Sequence, residues 1–234
     1  MKKIYQFAIA VTAVCLLAGC ETTGLSPRES SGASYESYIM GLQPGSNEMP
    51  QKLSVPIRLA VAQVGETTPP ENMLDKLANE KTLVASVTGL PLPGETYYHS
   101  QNVDYPARVK TICSLARTTG ADFLFLFGGT LDSWQDNNSL SALDVTLVGG
   151  AIFPGTKIHI EGKAAGVLIS TATCRPVFFI NADARGTALC PDFFADGKTP
   201  ALRSKVRDEL VDKLNDQLIN KLTDLSASAK IANY

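Results

Sequence analysis

The sequence predicts an α+β domain built on a single mixed β-sheet with helices packed on it, in the order β-α-β-α-β-β-β-β-α. Apolar strands and amphipathic helices alternate over the first half, which makes neighbouring strands parallel. Three strands then follow without intervening helices, which makes neighbours antiparallel. Between the two halves, Asp122 to Leu131 (DFLFLFGGTL) is a nearly continuous apolar run. Such a run is the mark of a central strand buried on both faces.

Each element follows from a local pattern. Val55 to Val64 (VPIRLAVAQV) is apolar and alternating, and reads as the first strand. Pro69-Pro70 opens a helix through about Lys81, since proline is tolerated in a first turn. Met73, Leu74, Leu77 and Ala78 form its inward stripe. Thr82 to Val87 is a weaker strand, and a Gly-Leu-Pro-Leu-Pro-Gly break at 89–94 follows it. Val109, Ile112, Cys113 and Ala116 then recur at helical spacing between Tyr105 and Thr119, and Gly120 is placed to end that helix. After the central strand, Asp132 to Ser139 reads as a polar loop. Strands are expected at Leu140–Val148, Lys157–Ser170 and Val177–Ala188, with Cys174-Arg175-Pro176 in the turn between the last two. Thr199 as cap and Pro200 at the first helical position start a long helix. Its stripe is Leu202, Val206, Leu210, Leu214, Leu218, Leu222 and Leu225. Core packing is the expected use of that stripe, with a partner surface as the alternative.

The amino terminus has a different character. Lys2-Lys3 precedes a short apolar stretch that ends in Leu17-Ala18-Gly19-Cys20. A basic start, a short apolar stretch and small residues before the cut describe an export signal. The stretch is too short and too polar at its start for a span of about 20 apolar residues. Leu17, Ala18, Gly19 and Cys20 stand in the order of the lipobox and resemble that of bacterial lipoproteins. The resemblance implies cleavage after Gly19 by the lipoprotein signal peptidase and a diacylglyceryl group on the Cys20 sulfur, with palmitate-type chains. One acyl chain anchors only marginally, so the three chains usual for this class would be needed for a stable hold. Glu21 follows the cysteine. By the sorting rule of enteric lipoproteins it directs transfer to the outer membrane, with the domain facing the periplasm.

The expected organisation is a signal peptide at 1–19, a lipidated tether at 20–52, an α+β periplasmic domain at 53–228 and a disordered end at 229–234. Residues 21 to about 52 are rich in Ser, Gly, Thr and Pro and show no sustained period, a composition that cannot bury enough apolar surface to offset chain entropy. Loss of Lys2 and Lys3 with the leader takes the formal charge from −2 to −4. That balance argues against nucleic acid, which selects basic faces.

Three cysteines, Cys113, Cys174 and Cys190, remain beyond Cys15 and Cys20. An odd count outside the cytoplasm allows at most one internal bridge. Cys174 and Cys190 flank an extended strand, so their separation argues against pairing.

Chemistry-bearing motifs are few. His99 and His159 lie far apart, without HExxH or Cys-x-x-Cys spacing, so no metal is expected. No Gly-x-Ser-x-Gly elbow or phosphate loop is present, and no cofactor is expected. Gly128-Gly129 follows a strand but precedes no helix, and reads as a bulge or bend. Asp132, Asp136, Asn137 and Asn138 lack EF-hand spacing and read as a solvated turn. Trp134, the single tryptophan, is the candidate partner contact, with packing onto the domain as the alternative. Asp183 and Arg185 share strand parity and are expected on one side as a surface ion pair.

Gly120-Ala-Asp-Phe-Leu-Phe-Leu126 and Thr146-Leu-Val-Gly-Gly-Ala-Ile-Phe-Pro-Gly155, with the strands around Ala165–Ser170 and Val177–Ile180, resemble the rhombotail lipoproteins. The resemblance covers the C-terminal half and implies an envelope lipoprotein without an assigned biochemical role. Those proteins carry a Gly-rich sorting tail, whereas Ser226 to Tyr234 has neither its apolar run nor its basic end. More loosely, the element order is similar to periplasmic domains of penicillin-binding-protein activator lipoproteins and of the curli secretion lipoprotein. The expected function is a non-catalytic binding or assembly accessory at the outer membrane. Its partners are the membrane through the lipid, the processing machinery and an envelope protein. A hydrolase assembled from dispersed residues and an oligomeric export component are the alternatives.

Overall fold

The structure, a computed structural model, describes residues 53–92, 105–137, 155–190 and 195–231. Its elements are β1 (Ile57–Gln63), α1 (Glu71–Asn79), β2 (Val84–Gly89), α2 (Tyr105–Thr118), β3 (Phe123–Asn137), β4 (Thr156–Ser170), β5 (Arg175–Cys190) and α3 (Ala195–Ile231). The strands form one sheet in the order β2-β1-β3-β4-β5. β1 pairs parallel with β2 and β3, and β3, β4 and β5 pair antiparallel. This is the expected α+β domain on a mixed sheet. The strand expected at Leu140–Val148 lies outside the described residues.

The sheet is covered unequally. On one face, α1 and α3 pack against Leu59, Val61, Phe125, Phe127, Ile158, Ile160 and Leu168. On the other, α2 brings Val109, Ile112, Cys113 and Ala116 onto Ala60, Ala62, Leu124, Leu126, Val167 and Ile169. The central apolar run is therefore buried from both sides, as its composition predicts. α3 lies directly on the β4–β5 hairpin. An ideal Cβ at Gly162 would fall 2.5 Å from Leu210 Cδ1 and 2.8 Å from Leu131 Cδ2, so close approach of the helix requires glycine there. The stripe from Val206 to Leu222 is core, and Val211 joins it.

Helix ends show their local causes. α2 closes with Gly120 at φ +78, with Gly120 N–H donating to the Arg117 carbonyl at 3.0 Å and Ala121 N–H to the Ala116 carbonyl at 3.2 Å. That is the left-handed glycine cap. α3 begins earlier than Thr199-Pro200 predicts. Buried Ala195 starts it, Pro200 lies inside it, and the Thr199 hydroxyl donates back to the Ala195 carbonyl at 2.9 Å instead of capping. Burial of Ala195 against the sheet overrides the local cap signal. α3 continues to Ile231, so helical backbone reaches beyond the expected domain end at 228.

β3 differs most from expectation. The segment from Asp132 read as a loop is strand through Asn137, in unbroken register with β4 down to Thr156. Pairing with β4 along this whole length supplies backbone partners that local polarity does not encode. The Cys174-Arg175-Pro176 turn is also displaced. The turn is Thr171–Cys174, while Arg175 and Pro176 already belong to β5 beside a register shift at Leu168/Ile169. An edge strand beside a bulge tolerates proline.

Candidate functional site

A hollow of about 410 Å³ opens between α3, the end of β1 and the middle of β3. β1 and β3 are parallel, and their helical crossovers lie on opposite faces of the sheet. The hollow lies beside the carboxyl end of β1 and over the middle of β3. Its floor is Phe127, Gly129, Leu131 and Ala164, and its apolar wall is Leu210, Val211 and Leu214. Gly129 and Ala164 are register partners, and their small size leaves the volume unfilled. The rim carries Arg203, Ser204 and Arg207 from α3, facing Gln63 and Glu66 from the end of β1.

Two arginines one helical turn apart, a hydroxyl and an amide form a donor-rich rim over an apolar floor. Guanidinium groups present fixed forks that match carboxylate geometry. Glu66 is the single carboxylate among the lining residues, and the lining contains no histidine or cysteine. The arrangement suits holding an acidic group. Sequence reasoning missed this site. Its signals were Gly128-Gly129 and the arginines at 203 and 207, i and i+4 beside the apolar stripe. The glycines mark no bulge, because the β3–β4 register runs through them without a shift. They shape the hollow instead, and an ideal Cβ at Gly129 would sit 2.8 Å from the Lys163 carbonyl oxygen.

The sequence-predicted residues lie elsewhere. Trp134 stands on β3, not in a loop, and stacks on its cross-strand neighbour His159 with ring centroids 5.3 Å apart and planes at 3°. His159 Nε2 lies 3.3 Å from Asp136 Oδ2. Trp134 is therefore packed against the domain's own outward sheet face. Asp132 and Asp136 are on that strand too, so they form no solvated turn. One oxygen of Asp132 is buried without a hydrogen-bond partner among the described residues. Asp183 and Arg185 do share a side, but Arg185 pairs across the ladder with Glu161 at 3.0 Å. Lys163 stands opposite Asp183 in register and lies 4.0 Å from Glu161. Opposite charges directly across a ladder are the closer neighbours, which is why the pairing runs between strands and not along one.

Asp122, within the family-resembling motif, is structural. It receives Arg58 Nη2 at 2.6 Å, Arg58 Nε at 3.0 Å and the Arg58 backbone N–H at 3.2 Å, clamping β3 to β1. The side-chain hydrogen bonds from Arg58 hold its carboxyl below the ordinary aspartate range. Among the described residues, no group of three His, Cys, Asp or Glu side chains is placed to hold a metal. No helix among them is long and apolar enough to cross a membrane. Cys20, the rest of the lipobox (Leu17, Ala18 and Gly19), Glu21 and His99 lie outside the described residues.

Cys113, Cys174 and Cys190 form no disulfide. Cys190 faces Thr156 at one end of β5 while Cys174 lies just before the other. The strand between them spans roughly 50 Å at about 3.3 Å per residue, so the two cannot pair. Cys113 behaves differently. It is fully buried under α2, its thiol hydrogen-bonds with that of Cys174, and burial first, then that bond, pushes it well above the ordinary thiol range.

No protein-family model matches the chain, and no curated protein matches it. Solved structures do. A minor lipoprotein from Acinetobacter baumannii is 11% identical with TM-score 0.39, covering 74% of this chain and 93% of its own. A lipoprotein from Neisseria meningitidis is 10% identical with TM-score 0.31, covering 64% of this chain and 99% of its own. A homolog of a neuraminyllactose-binding hemagglutinin from Helicobacter pylori is 10% identical with TM-score 0.35, covering 82% of this chain and 97% of its own. Lipoproteins thus recur among the structures this chain is similar to, at a level of similarity that assigns it no activity.

Proposed function

We propose that this chain is a lipid-anchored accessory of the bacterial cell envelope that binds an envelope component through the folded domain. The observation that carries the reading is Leu17-Ala18-Gly19-Cys20 behind a basic, apolar leader. The thioether-forming thiol of Cys20 becomes the anchor, residues 20–52 the tether, and Glu21 favours the outer membrane with the domain in the periplasm. The role is binding rather than catalysis. The hollow supports this with a rim of Arg203, Ser204, Arg207 and Gln63 over an apolar floor, a donor-rich set that suits an acidic group. The rhombotail resemblance agrees with an envelope lipoprotein and adds no activity.

The test is fractionation of wild type against Cys20→Ala with mass spectrometry of the N-terminal peptide. A triacylated peptide beginning at Cys20 in the outer membrane, lost in the variant, is the expected result. Unlipidated soluble protein, or protein retaining residues 1–19, overturns the anchor. Arg203→Ala/Arg207→Ala tests binding in the same cells: reproducible crosslinked partners of wild type should be lost while the fraction stays the same. Unchanged crosslinking overturns the role given to the hollow.

A further inference from the structure

We propose that Cys113 and Cys174 are an oxidisable thiol pair that closes to a disulfide in the envelope, tying α2 to the β4–β5 turn. The inference rests on the export reading for its oxidising compartment, and on the fold alone for its geometry. Sixty-one positions separate the two residues in sequence, yet Cys174 packs against the buried cluster that holds Cys113, with its thiol turned toward the Thr171 carbonyl at 4.0 Å. The contact is held from several sides. Arg117, one turn after Cys113 on α2, donates to the carbonyls of Thr171 and Ala172 in the turn that ends at Cys174. The Thr171 hydroxyl donates to the Ala121 carbonyl at 2.7 Å and to the Asp122 carbonyl at 2.9 Å, fixing the same turn to the end of α2.

Cys174 occupies a backbone state with φ +53, and no other non-glycine residue among the described ones has positive φ. Glycine or asparagine is the ordinary choice there. A cysteine held in that state over a buried cysteine is a side chain kept for its position.

Exposure orders the chemistry. Cys113 is sealed in an apolar cluster with Ala116, Val167 and Ile169, while Cys174 is half-buried at its edge. Cys174 therefore meets an external disulfide first, supplied by a thiol oxidoreductase or oxidised glutathione. Its thiolate attacks one sulfur of that disulfide and releases one thiolate. Cys113 then gives its proton to the departed thiolate, attacks the Cys174 sulfur and releases the second. The protein loses two hydrogens and the oxidant gains two thiols. Cys190 takes no part, since it lies at the far end of β5.

The experiment uses the full chain with its own leader, expressed in a Gram-negative host. Envelopes are alkylated under denaturing conditions before any reduction, and peptides are read by mass spectrometry. Peptides joined through Cys113 and Cys174, with Cys190 alkylated, are expected. Complete alkylation of both residues in protein that has lost residues 1–19 overturns the proposal, as does a bond from either residue to Cys190. Protein that retains residues 1–19 shows instead that the export reading has failed. The same material treated with oxidised glutathione then decides the pair: joined peptides uphold it, and mixed disulfides or free thiols overturn it. Cys174→Ser should abolish the joined peptides and leave Cys113 labelled only after denaturation. Its position at the edge of the core makes this variant the better-tolerated of the two single replacements.

Discussion

The two halves of β3 differ more than any two strands of the sheet. Phe123 to Phe127 is buried on both faces, under α1 and α3 on one side and α2 on the other. From Thr130 to Asp136 one face places Leu131 beside α3 and ends in exposed Gln135, and the other turns outward, where Asp132, Trp134 and Asp136 meet His159 and Glu161 on β4. One continuous strand therefore changes from an unbroken apolar run to alternation at Gly128-Gly129. The change marks where α2 stops covering the sheet. A strand's pattern reports how many of its faces are covered, and not whether it is a strand.

The comparison can be broken at its doubly covered end. Phe125→Ala removes a fully buried ring stacked on Phe127 with centroids 5.6 Å apart. A loss of about 3–5 kcal/mol is expected in denaturant unfolding. A loss below 1 kcal/mol would mean that this face is not closed as described. The next effect sharpens the contrast between the two faces of β4. Gly162→Val forces side-chain atoms into Leu210 and Leu131 and should cost about 1–3 kcal/mol. Lys163→Val, next along on the outward face, should stay within about 0.5 kcal/mol. Equal effects would remove the distinction between the faces.

Asn215 is an exception on the covered side. It is fully buried in α3, and neither side-chain polar atom finds a partner among the described residues. Asn215→Leu should raise stability by about 1 kcal/mol or more, because the unmade hydrogen bonds cease to count against the fold. Destabilisation would mean the amide is satisfied. On the outward face, Trp134→Ala should cost about 0.5–1.5 kcal/mol, the range for an aromatic stack. It should leave crosslinking through the Arg203/Arg207 rim unchanged, and loss of that crosslinking would make Trp134 the partner contact.

The smallest effect lies at the β1–β3 clamp. The folded carboxyl of Asp122 ionises below its unfolded value because Arg58 bonds it. Its contribution is therefore complete above the unfolded value of about 3.9 and is lost as pH falls through the folded value. Both side chains are about half exposed, so solvent screens most of it. Asp122→Asn should be slightly less stable than wild type at neutral pH, and the gap should close in acid. A gap that widens in acid reverses the assignment.

Much of the fold was legible along the chain. The α2 stripe of Val109, Ile112, Cys113 and Ala116 is buried as its spacing predicts, and the Val206–Leu222 stripe likewise. The strand from Asp132 to Asn137 was not legible, because its polar outward residues look like a loop until β4 pairs with them. Pro200 misled for a related reason: it fits a first turn locally, and burial of Ala195 moves the start of α3 upstream.

Sequence by itself determined the kinds and order of the elements, and which face of each helix is apolar. All of these are encoded within a few consecutive turns or strand residues, where period and composition act directly. Only the tertiary structure decided that β3 lies beside β1 and not β2, that Gly129 and Ala164 leave a hollow beneath two arginines, and that Cys113 meets Cys174 rather than Cys190. Those facts depend on which distant surfaces bury one another. That choice is made by the shape of the whole core, and no local pattern carries it.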